Sequence, residues 1–210
     1  METIFISGYS GTGKSTFAKK IASKLPNAER FDADYFMFSS IKYYKKEFES
    51  IFGKKLDYDN YANCYLRVTD AATFEQYNEY HHLSMPFVND KIDEIVKFKK
   101  SQKLNFFVVD WISFPKLTIW RENNYRVMVD SKEDTRHTNL VERLKKEGFT
   151  GNGYAVCKIR DMIVSEIIEN AENITHRIEN NFNGHLDKYV DAFCDEVLTN
   201  EKVKIIKKEN

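Results

Sequence analysis

The chain has 210 residues, 42% of them hydrophobic and 14% aromatic, which is enough to fill a sizeable core and excludes a globally disordered protein. Lys and Arg together number 32, and so do Asp and Glu, so the formal net charge is zero. That balance lacks the basic excess of a nucleic-acid binder, and no apolar run approaches the roughly 18 residues of a membrane span.

The opening residues, Met1-Glu2-Thr3-Ile4, show no basic region running into a long apolar stretch. A soluble cytoplasmic protein is therefore expected, monomeric or weakly self-associating, with no nucleic-acid or membrane partner. Cys64, Cys157 and Cys194 are scattered without a CxxC pair or a Cys/His ligand spacing. They read as buried or free thiols in a reducing compartment rather than as a disulfide framework or zinc site.

Thr3 to Ser7 is a β-branched and aromatic run that stops at a glycine, which predicts a buried strand. From Lys14 to Leu25, apolar Phe17, Ala18, Ile21, Ala22 and Leu25 recur at helical spacing until Pro26. A short strand near Glu29–Phe31 leads into Asp32-Ala33-Asp34. The stretch from 35 to 80 is aromatic-rich and mostly helical by pattern, with breaks at Gly53 and around 57–60. Pro86 to Lys100 again has helical spacing, and Phe106–Val109 and Arg126–Val129 are two further strands, each ending at an aspartate. Charged helical sequence over 133–147 meets the glycine-rich break at 148–153. A helix over 154–170, a strand near Thr175–Ile178 and a helix over 184–198 complete the pattern. Strands alternating with helices predict an α/β fold with a parallel sheet in a single domain.

Gly8-Tyr9-Ser10-Gly11-Thr12-Gly13-Lys14-Ser15 matches GxxxxGK[ST] between a predicted strand and a predicted helix. In such a loop the glycines let successive N–H groups point at phosphate oxygens, and the helix N-terminus adds positive charge. Lys14 would meet the β- and γ-phosphates of ATP, and the Ser15 hydroxyl would ligate Mg²⁺. Gly8, Ser10, Gly11, Thr12, Gly13, Lys14, Ser15 and Thr16 are thus the expected nucleotide contacts.

Ligand groups in parallel α/β sheets gather at the C-terminal ends of strands. Asp34 follows the second strand, where a carboxylate can accept the proton of an attacking hydroxyl and help hold Mg²⁺; an N-cap is its structural alternative. Asp32 is either a cap or a supporting group. Asp110 ends its strand as a metal-directed carboxylate would, or as a turn former. Asp130 reads as the start of a turn.

The order of these motifs resembles dephospho-CoA kinases, in Gly11-Thr12-Gly13-Lys14-Ser15-Thr16, Asp32-Ala33-Asp34, Met85-Pro86-Phe87-Val88, Phe107 to Ile112, and Ile178-Glu179-Asn180-Asn181. The likeness covers nearly the whole chain in order. It implies a three-layer P-loop NTPase fold around about five parallel strands, with a helical substrate-side insertion over 35–100 and a lid region over 133–160. It also implies Asp34 as catalytic base and transfer from Mg-ATP to the ribose 3′-hydroxyl of dephospho-CoA, the route to coenzyme A. Departures fall on the substrate and lid side: Met85 replaces a histidine, Ser113-Phe114-Pro115 replaces Pro-Leu-Leu, and Phe182 replaces a glycine. The lid arginine has Arg136, Arg143 and Lys146 as possible counterparts; Arg143 is taken as catalytic, with an i,i+4 pair to Glu147 as its structural alternative.

Gly8 to Ser15 together with Asp32-Ala33-Asp34-Tyr35-Phe36 is also similar to uridine-kinase-like proteins, so a nucleoside acceptor stands as the second expectation. A nucleotide-binding regulatory module without turnover is the third. Tyr35, Phe36, Phe38, Tyr43, Tyr44, Phe48 and Phe52 read first as core and second as an acceptor pocket. His81-His82 reads as a surface pair, and the lysine-rich 202–208 segment as a solvated end.

Overall fold

The structure, a computed structural model, describes residues 1–53, 55 and 72–209. In chain order these form β1 (Glu2–Ser7), α1 (Lys14–Lys24), β2 (Ala28–Asp32), α2 (Asp34–Tyr43) and α3 (Lys45–Phe52). Next come α4 (Phe74–Lys100), β3 (Phe106–Asp110), a 3₁₀ turn at Phe114–Lys116 and the short α5 (Thr118–Arg121). The last elements are β4 (Tyr125–Asp130), α6 (Glu133–Lys146), α7 (Gly153–Glu169), β5 (His176–Glu179) and α8 (Leu186–Glu209). The break expected around 57–60, and Cys64, lie outside the described residues.

Every strand pairing is parallel, in the order β2-β3-β1-β4-β5. Side chains alternate between the two faces of the sheet, and the core divides accordingly. Ile4 and Ile6 of β1 face Phe17, Ile21, Val190 and Phe193 from α1 and α8. Phe5 between them faces the opposite layer, with Met37, Tyr80, Ile92 and Trp120. The result is three layers, two helices against one face and α2, α3, α4 and the 3₁₀ turn against the other.

Register sets the site. Ile6 lies opposite Asp110, and Asp32 lies opposite Asp110 on the other side. The residues that follow β1, β2 and β3 therefore emerge together at one edge of the sheet. This is the edge at which open α/β sheets bind ligands.

Two expectations about helix bounds need correction. α4 begins at Phe74 rather than at Pro86, because Thr73 and Gln76 form a complete capping box that starts the helix twelve residues earlier. Pro86 is accommodated inside it. α8 runs to Glu209, beyond the expected end near 198. Among the described residues no helix is long and apolar enough to cross a membrane.

Candidate active site

The loop between β1 and α1 is shaped by close approach. A Cβ at Gly8 would lie 2.2 Å from the Val129 carbonyl oxygen of β4, so only glycine lets the chain turn there. At Gly13, φ is 88° and a Cβ would meet Asn180 Nδ2 at 2.5 Å. Asn180, buried just after β5, donates from that Nδ2 to the Thr12 carbonyl at 2.9 Å. Its own amide donates to the Asp130 carbonyl at 2.8 Å. Thr12 is buried, and its hydroxyl donates to the Tyr9 carbonyl at 3.0 Å. The loop is thus pinned from the β4 and β5 side before any ligand arrives.

Lys14 and Ser15 open α1. The Ser15 hydroxyl donates to Asp110 Oδ2 at 2.7 Å, which joins the loop to the end of β3. Asp110 is almost fully buried, and Arg30 of β2 grips it from both sides, Nε to Oδ1 at 2.8 Å and Nη2 to Oδ2 at 2.9 Å. Burial works against the Arg30 charge, but Asp110 and Asp32 outweigh it and leave the guanidinium pKa raised. Arg30 belongs to none of the sequence motifs. Its alternation within β2 was the available signal, since a strand-borne arginine two residues before Asp32 shares its face.

Asp32 settles into the supporting role. Its Oδ1 accepts from the Asp34 amide at 3.1 Å, and its other oxygen pairs with Arg30. Asp34 is the first residue of α2 and makes no side-chain cap. Asp34 is exposed to water at the mouth of a cleft, yet the walls of that cleft bring enough protein around the carboxylate to disfavour its charge. Burial raises its pKa to about 6; Lys14 and Arg143 pull the value down, and Asp32 and Asp110 push it up.

That cleft is bordered by Ser10, Lys14, Asp34 and Arg143, and its farther wall includes Phe38, Tyr77, Trp111 and His81. His81 was expected at the surface. It is buried instead, with Nε2 3.1 Å from the Ser113 hydroxyl, while His82 beside it is exposed. One helix face points at the cleft and the next residue points away, which a sequence pair cannot reveal. Burial, with Lys116 and His82 nearby, lowers the His81 pKa to about 4, so its ring is neutral near pH 7. Of the aromatic cluster, Phe36, Phe48 and Phe52 are core, whereas Phe38 lines the cleft and Tyr35 and Tyr43 are exposed.

On the other side of the loop a second groove is lined by Gly11, Gly13, Lys14, Ser15 and Thr16 together with α6 and Phe182. Arg143 borders both spaces, and its Nε lies 3.7 Å from Glu147 on the exposed helix face. Arg136 behaves differently. It is buried, its Nη1 donates to Asp161 Oδ1 at 2.6 Å, and its guanidinium lies 4.4 Å from the centre of the Tyr9 ring. Of the three basic residues weighed for the lid, Arg136 is therefore committed to packing α6 on α7 and on the loop. Tyr9 also donates to Glu169 at 3.2 Å, and burial followed by that carboxylate raises its pKa to about 12.

A glycine loop between a strand and a helix, cradled by neighbouring strand ends on a parallel sheet of this order, gives the chain the α/β fold of P-loop kinases. No protein-family model and no curated protein matches the sequence. Solved structures do match the fold. TT1252 from Thermus thermophilus superposes with a TM-score of 0.62 at 15% identity, covering 93% of this chain and 97% of that one. Shikimate kinase from Bacteroides thetaiotaomicron gives 0.54 at 14% identity, over 93% and 98% of the two chains. Shikimate kinase from Acinetobacter baumannii in complex with shikimate gives 0.50 at 13% identity, over 95% and 94%. At such identities the likeness establishes the fold.

Proposed function

We propose that this protein is an ATP-dependent kinase that phosphorylates an alcohol group of a small molecule. The observation that carries the reading is the placement of Lys14 and Asp34 on one cleft beside a preformed phosphate loop. Lys14 would neutralise the phosphates, and the loop amides would hold them in line. Asp34, its basicity raised by its surroundings, would accept the proton of the attacking hydroxyl. Arg143, bordering both spaces, would meet the charge that develops on the phosphoryl group in transit.

Hard oxygen donors suit Mg²⁺, and the Ser15 hydroxyl with the Asp34 and Asp110 carboxylates offers them at one sheet edge. Because both Asp110 oxygens are engaged by Arg30, Asp110 would act by orienting Ser15 and metal-bound water rather than by direct ligation. The metal would supply charge neutralisation at the β- and γ-phosphates.

For the acceptor, the order of motifs favours the ribose 3′-hydroxyl of dephospho-CoA. A second reading rests on the cleft itself, whose cavity of about 110 Å³ suits a compact ring. An engineered cavity of similar size, roughly 150 Å³, holds benzene. The neighbours named for shikimate support the same alternative. ADP release with dephospho-CoA, uridine and shikimate side by side, with mass spectrometry of the products, separates these readings. Lys14→Ala should lower turnover on the best acceptor about a hundredfold or more. Asp34→Asn should lower it by about 10² to 10⁴ while ADP still binds. Undiminished transfer by purified Asp34→Asn protein would remove the assigned base.

A further inference from the structure

Asp32 and Asp110 lie directly opposite each other on adjacent strands. Like charges in that register repel, and the Asp110 side chain is only 1% exposed, so water does little to relieve it. Asp34 adds a third carboxylate two residues beyond Asp32, close enough for both of the others to act on its charge. Hard oxygen groups gathered in this way are the usual setting for a divalent cation. Here a side chain of the protein supplies the positive charge. Arg30 sits two residues before Asp32 on the same face of β2. Its Nε and Nη2 donate to the two oxygens of Asp110 at 2.8 and 2.9 Å, and Nη2 also reaches Asp32 Oδ2 at 3.1 Å. The planar fork of a guanidinium fixes two carboxylates relative to each other, which the point charge of a lysine does not.

Each carboxylate held by Arg30 passes the constraint on. Asp110 Oδ2 accepts from the Ser15 hydroxyl at 2.7 Å, at the start of α1. Asp32 Oδ1 accepts from the Asp34 amide at 3.1 Å, at the start of α2. Arg30 itself borders neither of the cavities beside the loop. It is one residue removed, on either hand, from the groups proposed to meet the metal and the acceptor hydroxyl.

Resting on the reading that the loop takes a nucleotide with Mg²⁺, we infer that Arg30 is a positioning residue that replaces a resident cation at the ends of β2 and β3. It neutralises Asp32 and Asp110 in the free protein and reserves Asp110 for orienting Ser15. The divalent ion is thereby left to enter with the nucleotide. Without Arg30 the same carboxylates become a metal site in their own right.

Electron paramagnetic resonance of Mn²⁺, whose free-ion signal is lost on binding, tests this on the whole chain. The wild type should take up Mn²⁺ only when ADP is present. Arg30→Gln leaves Asp110 buried without its counter-ion, and should bind Mn²⁺ without nucleotide about tenfold more tightly than the wild type does. Mn²⁺ should also raise the melting temperature of Arg30→Gln while leaving that of the wild type unchanged. A merely structural arginine would, on removal, destabilise the protein without creating that site. The double variant Arg30→Gln/Asp110→Asn removes both charges and should again bind no Mn²⁺ alone. Arg30→Lys keeps the charge and loses the fork, so it should exclude free Mn²⁺ yet bind ADP with Mn²⁺ several-fold more weakly than the wild type. Equal uptake of Mn²⁺ by the wild type and Arg30→Gln without ADP would overturn the inference. So would Arg30→Gln protein that Mn²⁺ neither stabilises nor, where it is obtained unfolded, refolds. Wild-type protein that binds no ADP, with or without Mn²⁺, would instead sink the phosphate-loop reading, and the nucleotide-free comparison would still judge Arg30.

Discussion

In the proposed mechanism Asp34 serves two opposed ends. Its pKa is raised to about 6 chiefly by burial, so the folded protein holds that proton more tightly than the unfolded chain does. For such a group the stabilising contribution is complete below the unfolded value near 4 and is lost as the pH rises through about 6. At pH 7 to 8 the free protein therefore carries an unfavourable carboxylate. Asp34→Asn should melt at a higher temperature than the wild type there, with the gap closing toward pH 4, as thermal scans across that range would reveal. As the proposed base, the same group would need to be ionised. The kcat/KM of the wild type should accordingly fall on the acid side with an apparent pKa near 6, and a flat profile from pH 5 to 8 would exclude Asp34 as the base. Residue by residue, the turn of the loop was legible because its backbone tolerates few alternatives to glycine at Gly8 and Gly13. Arg30 and His81 were not, since their roles depend on Asp110 and Ser113, partners 80 and 32 positions away.

Between elements, Asn180 does the most joining. It links the end of β5 to the glycine loop, to the end of β4 and to the Phe182 amide. Asn180→Ala leaves the buried Thr12 carbonyl without its partner and should cost about 1–3 kcal/mol of stability, measurable by urea unfolding. It should also weaken ADP binding, since the loop loses its clamp at Gly13. Wild-type stability and affinity in that variant would show that the bond is incidental. The strands were legible to within a residue or two, β1, β3 and β4 from their β-branched and aromatic runs. The start of α4 was misplaced because Pro86 drew the boundary, although Thr73 and Gln76 carried a readable cap. Strand order was not legible at all. It is fixed by pairings such as Ala28 with Phe106, which no local pattern encodes.

At the scale of the whole molecule, stability comes from two separate cores on opposite sides of one sheet. α8 closes one of them through Val190, Phe193 and Val197, and its surface pairs Lys20–Asp187 and Lys24–Asp191 lie at the rim. Phe193 packs edge-on to Phe17 and Tyr125. Phe193→Ala should cost about 3–5 kcal/mol in chemical unfolding. Lys24→Ala, which removes only an exposed pair, should leave the unfolding midpoint close to that of the wild type. Similar losses in the two variants would mean that α8 is held by charge rather than by burial.

The buried Arg136 has a mechanical consequence. Clasped by Asp161 and covered by Tyr9, it fastens the first turn of α6, and Leu140, Val141 and Leu144 seat the rest of that helix on Val156 and Cys157 of α7. Arg143 lies seven residues along, about 10 Å at 1.5 Å per residue. The backbone that carries Arg143 is thereby held in place, and reach across the groove is left to its long, half-exposed side chain.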